Sequence, residues 1–343
     1  CGCGLMSRPD AAAIPGPTPI VELTTSYWAT QTLFAANRLG LFEAIGDAAV
    51  SANEIAEKLG IAARSTELLM NACASLDLLE KQDGSYRCSD LGAAYLLPGK
   101  QSYMGDAIRY CDDLYATWGR LEHSVRAGEP ALTASSYLGD DEQRTRNFVY
   151  GMHNRALGIG QALVGLADLG ECRSLLDVGG GPGTYSALFA ARYPGLSAQV
   201  MELPGVIPIA REILATMPAG DRVTMVEGNY KTSAFPAPVE SVLMSGMFHR
   251  ETEQQCRELI AKGFDALTSG GRMVVCDIFA DAGGASPAFA ALFGLTMLLT
   301  APDGTVHADA DVAAWMRDRG IADVDVFHFP PPMPHRIVIG IKP

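Results

Sequence analysis

The chain has 343 residues and a formal net charge of −13, with 48% hydrophobic and 19% charged residues. This length allows two or three domains with sizeable cores, and no apolar run reaches the roughly 18 residues that a membrane-spanning helix needs. The negative charge argues against a general nucleic-acid binder, because affinity for phosphate backbones comes largely from Lys and Arg. We therefore expect a soluble protein with neither nucleic acid nor membrane as a partner.

The first twenty residues, CGCGLMSRPDAAAIPGPTPI, are rich in Pro and Gly and lack a charged segment followed by an apolar one. This composition predicts a flexible arm over residues 1–17, no signal peptide and a cytoplasmic location. The eight cysteines are scattered without the spacing of a zinc site or a disulfide framework, so we expect no metal. A role for Cys1 and Cys3 in metal binding or oxidation stays open.

Residues 18–98 have the pattern of short helices followed by a hairpin. The segment SYWATQTLFAANRLGLFEAI predicts a largely apolar helix interrupted at Gly40, and SANEIAEKLG begins with Ser51 and Glu54 at capping-box spacing. RSTELLMNACASLDLLEK predicts a third helix, and QDGSYRCSDLG has an Asp83-Gly84 turn between strand-like residues. Three helices and a small hairpin predict a winged helix.

Winged helices often bind DNA, but the charges of this one disfavour it. The helix that would read DNA carries Arg64 together with Glu67, and Asp77 and Glu80 follow it, which is a poor surface for a phosphate groove. We therefore expect a packing or dimerisation module. A winged-helix regulator that senses a metabolite is the alternative of another class.

Residues 99–170 have a helical pattern, and we expect them to link the two domains and to contribute to a substrate pocket. After Glu171 the short apolar runs SLLDV, AQVME, RVTMVE, SVLMSG and RMVVCDIF are separated by helix-length segments, which predicts a parallel sheet with helices on both faces. The last two runs, IADVDVFHF and HRIVIGIK, are separated by PPPMP without a helix and predict an antiparallel edge. The expected fold class is α/β, Rossmann-like, with a mostly parallel seven-stranded sheet over residues 171–343.

A glycine-rich turn follows the first strand of this sheet. The segment SLLDVGGGPGTYSALFA places Gly179, Gly181 and Gly183 between the strand and a helix that starts near Thr184. Glycines allow a tight turn on which a ligand can lie, and a helix N-terminus favours negative charge. A dinucleotide fingerprint needs G-x-G-x-x-G, and Thr184 at its sixth position disfavours a nicotinamide-dependent oxidoreductase. The next strand ends at Glu202, whose carboxylate can accept hydrogen bonds from both hydroxyls of a ribose, so we expect an adenosine-containing ligand.

Five motifs occur in a specific order: LLDVGGGPGTYS, VMELPGV, VEGNYKTSAFP, SVLMSGMFHRETEQQCRELI and GGRMVVCDIF. In this order they resemble the S-adenosylmethionine-dependent O-methyltransferases of the plant phenolic, hydroxyindole and bacterial polyketide-tailoring type. The resemblance covers most of the chain, because family members also carry an N-terminal winged-helix dimerisation domain similar to residues 18–98. It implies a class I methyltransferase domain over residues 171–343, S-adenosylmethionine as cofactor, S-adenosylhomocysteine as its product, and a homodimer formed through the N-terminal domain.

The resemblance assigns a cofactor site residue by residue. It implies that the glycines of the turn lie against the methionine part of the cofactor and that Glu202, with Leu203 beside it, holds the ribose. Asn229 and Tyr230 stand where the family commonly has an Asp and an aromatic or Met beside the adenine, and an Asn can still hydrogen-bond to adenine. The implied cofactor-binding residues are Gly179, Gly181, Gly183, Glu202, Leu203, Asn229, Tyr230, Ser245 and Gly246.

His249, after the strand SVLMSG, matches the catalytic histidine of the family. An imidazole, with a reference pKa of about 6.5, can take the proton of a phenol, with a reference pKa of about 10, as the oxygen attacks the methyl group. Asp277, in VVCDIF, matches the first of the acidic residues that orient this histidine. The second acidic position falls near Val306 or His307, neither of which is acidic, and Arg250 stands where many relatives have Asp.

These departures keep related reactions open as alternatives, namely C-methylation, or hydroxylation, decarboxylation or ring closure with bound cofactor. The acidic residues Asp309 and Asp311, which come just after this position, are expected to start the next helix instead. The leading expectation is methyl transfer to a hydroxyl of a small aromatic or polycyclic acceptor. By family position the acceptor pocket, expected between the domains, is lined by Phe148, Met152, His153, Phe289, Phe293 and Met297.

Overall fold

The computed structural model describes residues 16–100 and 102–343. Contacts between residues divide the chain into two compact units, with the boundary between Ala93 and Ala94. Cys1 and Cys3 lie outside the described residues. Within the described ranges, no helix combines the length and the apolar character that crossing a membrane requires.

The first unit combines short helices with a small antiparallel sheet of strand order β1-β3-β2. Its elements are α1 (Thr18–Thr25), α2 (Tyr27–Arg38), α3 (Leu41–Ile45), β1 (Val50–Ser51), α4 (Ala52–Leu59), α5 (Ala63–Ser75), β2 (Leu79–Gln82), β3 (Ser85–Cys88) and the start of α6 (Asp90–Tyr95).

Local sequence signals explain where these elements begin and end. The Ser51 hydroxyl accepts from the Glu54 N–H at 3.3 Å and the Glu54 carboxylate accepts from the Ser51 N–H at 2.6 Å, so the predicted capping box is present at the start of α4. Gly40 has a φ of 69° and separates α2 from α3. Asp83 and Gly84 both have positive φ, at 50° and 82°, as a two-residue hairpin turn requires. The helices before and after Gly40, the capped helix and the hairpin are confirmed. The third helix is shorter than predicted, because it ends at Ser75, the chain turns at Asp77 with a φ of 57°, and residues 79–81 lie in β2.

The second unit contains the large sheet and its helices. Its elements are the end of α6, α7 (Gly105–Trp118), α8 (Leu121–Ala127), α9 (Glu142–Leu166), β4 (Ser174–Val178), α10 (Thr184–Arg192), β5 (Ser197–Glu202), α11 (Ile207–Leu214), β6 (Val223–Glu227), β7 (Val239–Ser245), α12 (Glu253–Ala266), β8 (Leu267–Asp277), α13 (Ala288–Thr300), α14 (Asp309–Arg319), β9 (Ala322–His328) and β10 (Arg336–Ile341), with short 3-10 helices at Ala134–Tyr137, Gly220–Arg222 and Phe248–Arg250. Asp309 and Asp311 lie in the first turn of α14, as expected.

The seven strands lie in the order β6-β5-β4-β7-β8-β10-β9. Neighbours from β6 to β8 are parallel, β10 runs antiparallel to β8, and β9 pairs antiparallel with β10 at the edge. The predicted fold class is confirmed. Because β4, β5, β7 and β8 are parallel, their carboxyl ends meet at one edge of the sheet, where ligands bind in such folds.

Helices cover both faces of this sheet. In β4, the adjacent residues Leu175 and Leu176 belong to different core clusters, because successive side chains of a strand point to opposite faces. The Leu176 cluster includes Leu259 and Ile260 of α12 and Trp315 of α14. The cluster of Leu175 takes in α9 and α10 through Leu163, Val164, Ala187 and Phe189. The two packed faces hold the carboxyl edge of the sheet rigid.

Candidate active site

The turn after β4 presents bare backbone at the carboxyl edge of the sheet. Gly179, Gly181 and Gly183 have φ of 63°, 53° and 72°, values in the left-handed region that glycine adopts at low cost. A β-carbon built on Gly181 would meet nothing within 4 Å, whereas one on Gly179 would lie 3.4 Å from the Tyr230 ring. Since α10 begins at Thr184, the turn leads directly into a helix N-terminus.

Glu202 ends β5 and connects that strand to the glycine turn. Its Oε2 accepts from the Gly181 N–H at 2.8 Å and its Oε1 from the Leu203 N–H at 2.7 Å. The side chain is buried, and burial raises the pKa of Glu202 although both backbone hydrogen bonds act to lower it. A carboxylate has about four lone-pair positions, so two acceptor positions are left for a ligand such as a ribose.

A second carboxyl group lies beneath the same turn. Asp177, fully buried in β4, accepts from the Ser186 hydroxyl at 2.8 Å through Oδ2, while its Oδ1 has no hydrogen-bond partner among the described residues. Burial raises the pKa of Asp177 from 3.8 to about 7, and the nearby Glu202 adds to the rise. Below about pH 7 the group therefore favours its neutral form in the folded protein.

We expect the stability of the fold to decrease between about pH 4 and pH 7 because of Asp177. In that interval the folded state holds a proton that the unfolded state has lost, so the free energy of unfolding falls as pH rises. Asp177→Asn lacks this titration and keeps an oxygen for Ser186. Thermal unfolding should show that the melting temperature of the variant minus that of the wild type is larger at pH 8 than at pH 5. Asp221→Asn is the control, because Asp221 is exposed. If the difference in melting temperature between Asp177→Asn and the wild type does not depend on pH, the raised pKa is not that of Asp177.

Two charged side chains, those of Glu251 and Lys262, hold the segment after β6 against the glycine turn. The Tyr230 hydroxyl donates to Glu251 Oε1 at 2.8 Å, and Lys231 Nζ lies 2.7 Å from Glu251 Oε2. Lys262 Nζ donates to the carbonyl oxygens of Tyr230 and Lys231 at 2.7 and 2.9 Å. Asn229, which is exposed, accepts from the Lys231 N–H through Oδ1 at 2.9 Å. Tyr230 is thus fixed beside Gly179. The side-chain amide nitrogen of Asn229 has no hydrogen-bond partner among the described residues.

His249 and Asp277 form a close pair at the ends of β7 and β8. His249 Nδ1 lies 2.6 Å from Asp277 Oδ1, and the carboxylate also accepts from the N–H groups of Phe248 at 3.0 Å, His249 at 3.3 Å and Ile278 at 2.7 Å. Burial by itself would raise the pKa of Asp277, but the His249 ring and these N–H groups lower it below its ordinary value. Because an ionised carboxylate only accepts, Nδ1 carries the proton and the Nε2 of a neutral ring has the free lone pair.

The turn that carries His249 is supported from behind by the segment before α14. The Thr305 N–H donates to the His249 carbonyl oxygen at 2.9 Å. His307 Nε2 lies 3.2 Å from the Phe248 carbonyl oxygen and 2.9 Å from that of Glu251, so it donates to the same turn. Val306 packs in an apolar cluster with Ile278. Neither residue at the position of the second family acid contacts the His249 side chain among the described contacts.

Four of the six residues expected to line an acceptor pocket fall into three groups. Phe293 packs edge-on against the His249 ring at a centroid distance of 4.9 Å, and the exposed Phe289 stacks on Phe293 at 6.4 Å. Phe148 contacts Tyr110 and Tyr137, with centroids 5.3 and 5.1 Å apart.

The third group of predicted acceptor-pocket residues is His153 alone. Its Nδ1 lies 2.8 Å from Thr184 Oγ1 at the start of α10. Burial lowers the pKa of His153. Met297 is buried and Met152 half-buried.

Two predicted cofactor residues, Ser245 and Gly246, lie between the glycine turn and the histidine. Ser245 ends β7, and Gly246, with a φ of 68°, follows it. A β-carbon on Gly246 would lie 4.0 Å from His249 Cε1. The strand ends therefore bring the histidine next to the predicted cofactor residues. Tyr110, Tyr137 and Glu251 were missed by sequence reasoning. Only Glu251 had a sequence signal, its place two residues after His249.

Within residues 16–100 and 102–343, no group of three His, Cys, Asp or Glu side chains could hold a metal ion. The groups that could hold a ligand at this edge are instead the bare glycine turn, the Glu202 carboxylate and the fixed Tyr230 ring. A glycine-rich turn, a buried carboxylate with free acceptor positions and an aromatic face suit an adenosine-containing cofactor.

Two domain families match the chain. Residues 118–322 match the O-methyltransferase domain and residues 21–98 the O-methyltransferase dimerisation domain. The chain is 32% identical over 330 residues to 3-hydroxy-5-methyl-1-naphthoate 3-O-methyltransferase of Streptomyces sahachiroi, covering 95% of each chain. It is 30% identical over 336 residues to the tetracenomycin polyketide synthesis 8-O-methyl transferase of Streptomyces glaucescens, covering 96% of this chain and 98% of the relative.

Among solved structures, human N-acetylserotonin methyltransferase in complex with S-adenosylmethionine has a TM-score of 0.86 at 21% identity, over 97% of this chain and 99% of that one. This likeness shows the shared fold. Since the domain match spans more than half of the chain, the protein belongs to the O-methyltransferase family, as the motifs of the sequence implied. S-adenosylmethionine is the methyl donor of this family.

Proposed function

We propose that the protein transfers a methyl group from S-adenosylmethionine to a hydroxyl oxygen of a small aromatic or polycyclic acceptor, with His249 as the general base. The observation that carries the proposal is the His249–Asp277 pair beside Gly246 and the glycine turn. The aromatic acceptor is supported by the aromatic rings around the histidine and by the naphthoate and polyketide named for the relatives.

The residues of the chain divide the work between binding and proton transfer. We assign the backbone of Gly179, Gly181 and Gly183 to the methionine part of the cofactor and Glu202 to the ribose. When bound, the cofactor supplies an electrophilic methyl group on a positively charged sulfur. In the overall reaction an oxygen–carbon bond forms, the sulfur–carbon bond breaks, and the acceptor proton passes to Nε2 of His249. Holding the acceptor oxygen in line contributes much of the acceleration.

Asp277 is assigned a positioning role in this scheme. Its carboxylate fixes the tautomer that leaves Nε2 free and stabilises the imidazolium that forms when the ring takes the proton, as the buried carboxylate of a catalytic triad does. Among the other cofactor assignments, Asn229 and Tyr230 are adenine contacts. Leu203 and Ser245 complete the proposed cofactor wall.

Replacing Glu202 tests the cofactor assignment. Glu202→Ala removes hydrogen bonds to a charged group, and we expect S-adenosylhomocysteine to bind more weakly by about 1–3 kcal/mol. Calorimetric titration measures this affinity. Glu227→Ala is the control, because Glu227 lies on β6 directly opposite Glu202 of β5 but is exposed. NAD is titrated in parallel. Binding of NAD alone, or unchanged affinity in Glu202→Ala, would refute the assignment.

We also propose that the chain functions as a homodimer through its first unit. Large apolar side chains of α1 and α2 are exposed in the described structure, namely Ile20, Val21, Leu23, Tyr27 and Trp28. A contiguous apolar surface of this kind marks an interaction site, and these residues adjoin or lie in the matched dimerisation domain. Sedimentation at micromolar concentration should show a dimer for the wild type and a monomer for Leu23→Glu combined with Trp28→Glu. A monomeric wild type would contradict the proposal.

A further inference from the structure

Arg250, directly after His249, has an unusual environment for a half-buried arginine. Its Nη2 donates to the Thr300 carbonyl oxygen at 3.5 Å, and its guanidinium carbon lies 5.6 Å from the centre of the Tyr137 ring. Tyr110 and Tyr230 lie within electrostatic range. The carboxyl end of α13 carries a partial negative charge and gives this guanidinium one long hydrogen bond, and the Tyr137 hydroxyl is its other hydrogen-bond partner.

The nearby acids are already paired with other groups. Glu251 binds Tyr230 and Lys231, and Asp277 binds His249. In the part of the chain that the structure describes, Arg250 forms no ion pair within 4.0 Å. Its positive charge is therefore not balanced by a carboxylate of the described residues.

Structural arginines of the same unit are satisfied in a different way. Arg336, which is buried, pairs with Asp281 at 2.6 Å and Asp309 at 2.8 Å. Arg222 donates to four carbonyl oxygens, those of Ala190, Tyr193, Pro194 and Leu196. A guanidinium has five N–H donors in a planar fork that matches a carboxylate. Arg250 has one carbonyl oxygen and the Tyr137 hydroxyl as partners, and unlike Arg336 it has no carboxylate among the described residues.

Two of the three rings near Arg250, those of Tyr110 and Tyr137, belong to elements outside the proposed cofactor site, whereas Tyr230 is assigned to the cofactor. Tyr110 lies on α7, Tyr137 on the 3-10 helix before α9, and both pack against Phe148 of α9. None of these elements contains the glycine turn. Flat rings beside a cation suit a flat aromatic anion.

Contacts along α13 indicate where that anion would lie. His249 packs on Phe293, and Arg250 reaches Thr300, seven residues further along the helix. Seven residues of α-helix span about 10 Å. An acceptor that contacts both side chains therefore lies along α13.

We propose that the acceptor carries a carboxylate that pairs with Arg250 while its hydroxyl faces His249. This inference rests on the proposed function and names its substrate class, an aromatic hydroxy acid. The carboxylate of the cofactor is the other source of the same chemistry. Tyr110, Tyr137 and Phe148 lie on helices that contain neither the glycine turn nor Glu202. Their position near Arg250 therefore favours the carboxylate of the acceptor over that of the cofactor.

Binding to the complex with S-adenosylhomocysteine tests this without turnover. The probes are a hydroxynaphthoate with its two groups on opposite rings and the carboxamide of the same compound. We expect the wild type to bind the acid about 10- to 100-fold more tightly than the amide, the range of a hydrogen bond to a charged group. Arg250→Gln should lose this preference, and Arg250→Lys should keep part of it. Arg146→Gln is the control, because Arg146 is paired with Glu212 on the surface.

The affinity for S-adenosylhomocysteine is measured for every variant. A wild type that does not bind S-adenosylhomocysteine contradicts the proposed function itself. A wild type that binds it but shows no preference for the acid, or no binding of the acid, overturns only the present inference. Arg250→Gln that binds S-adenosylhomocysteine less tightly yet keeps the preference for the acid would assign the arginine to the cofactor and also overturn it.

Discussion

Replacing His249 with alanine is expected to lower turnover by about 10²- to 10⁴-fold, the usual contribution of a general base. Affinity for S-adenosylmethionine should stay unchanged, because the glycine turn and Glu202 do not contact the imidazole among the described contacts. Steady-state methyl transfer and calorimetry measure the two quantities on the same preparation. Acceptors of low pKa, which are already ionised, should be affected least.

The control for this variant is His123→Ala. His123 is exposed on α8, and its removal should leave turnover unchanged. If His249→Ala also turns over at the wild-type rate, positioning alone carries the reaction and the assignment of a base is wrong. A loss of cofactor affinity parallel to the loss of turnover would instead make His249 part of the binding site.

Asp277→Asn is expected to have the second large effect, a decrease in kcat of about 10²- to 10⁴-fold with little change in cofactor affinity. An amide has one acceptor oxygen where the carboxylate has two, so it cannot serve the ring and the N–H groups of Phe248, His249 and Ile278 together. The wrong tautomer of the histidine then leaves Nε2 without its lone pair.

The same substitution should change stability in a pH-dependent way. Because the pKa of Asp277 is lowered in the folded state, the wild type gains stability from this group above its ordinary pKa and loses it as pH falls through the lowered value. The difference in melting temperature between wild type and Asp277→Asn should therefore narrow in acid. A variant with wild-type kcat, or a stability difference that widens in acid, would contradict the role of the carboxylate.

Much of this site could be predicted from the sequence because it lies at strand ends. Short apolar runs define β4, β5, β7 and β8, and parallel strands place the residues that follow them at one edge. Gly179, Glu202, His249 and Asp277 each end or follow such a run. The positive φ of the turn was likewise encoded in its glycines.

Other parts had no sequence signal because they depend on how distant helices pack. Nothing in the local pattern indicates that Tyr110 and Tyr137 meet Phe148, since aromatic residues at helical spacing usually form ordinary core. The use of His307 as a donor to the backbone of the histidine turn was also invisible, because it requires the fold between β8 and α14. Arg250 was visible as a departure from the family, but its missing carboxylate partner could only be seen in three dimensions.

The outermost strands of the large sheet also bear on how copies of the chain can associate. The exposed positions of β9 include Asp323 and Asp325, and β6 ends with the exposed Glu227. Charged side chains on an edge strand oppose the addition of a strand from another molecule. Growth of the sheet from copy to copy is therefore disfavoured at both ends. The edges of the sheet in the second unit thus oppose strand addition, and the exposed apolar helices of the first unit are the surface that we propose for association.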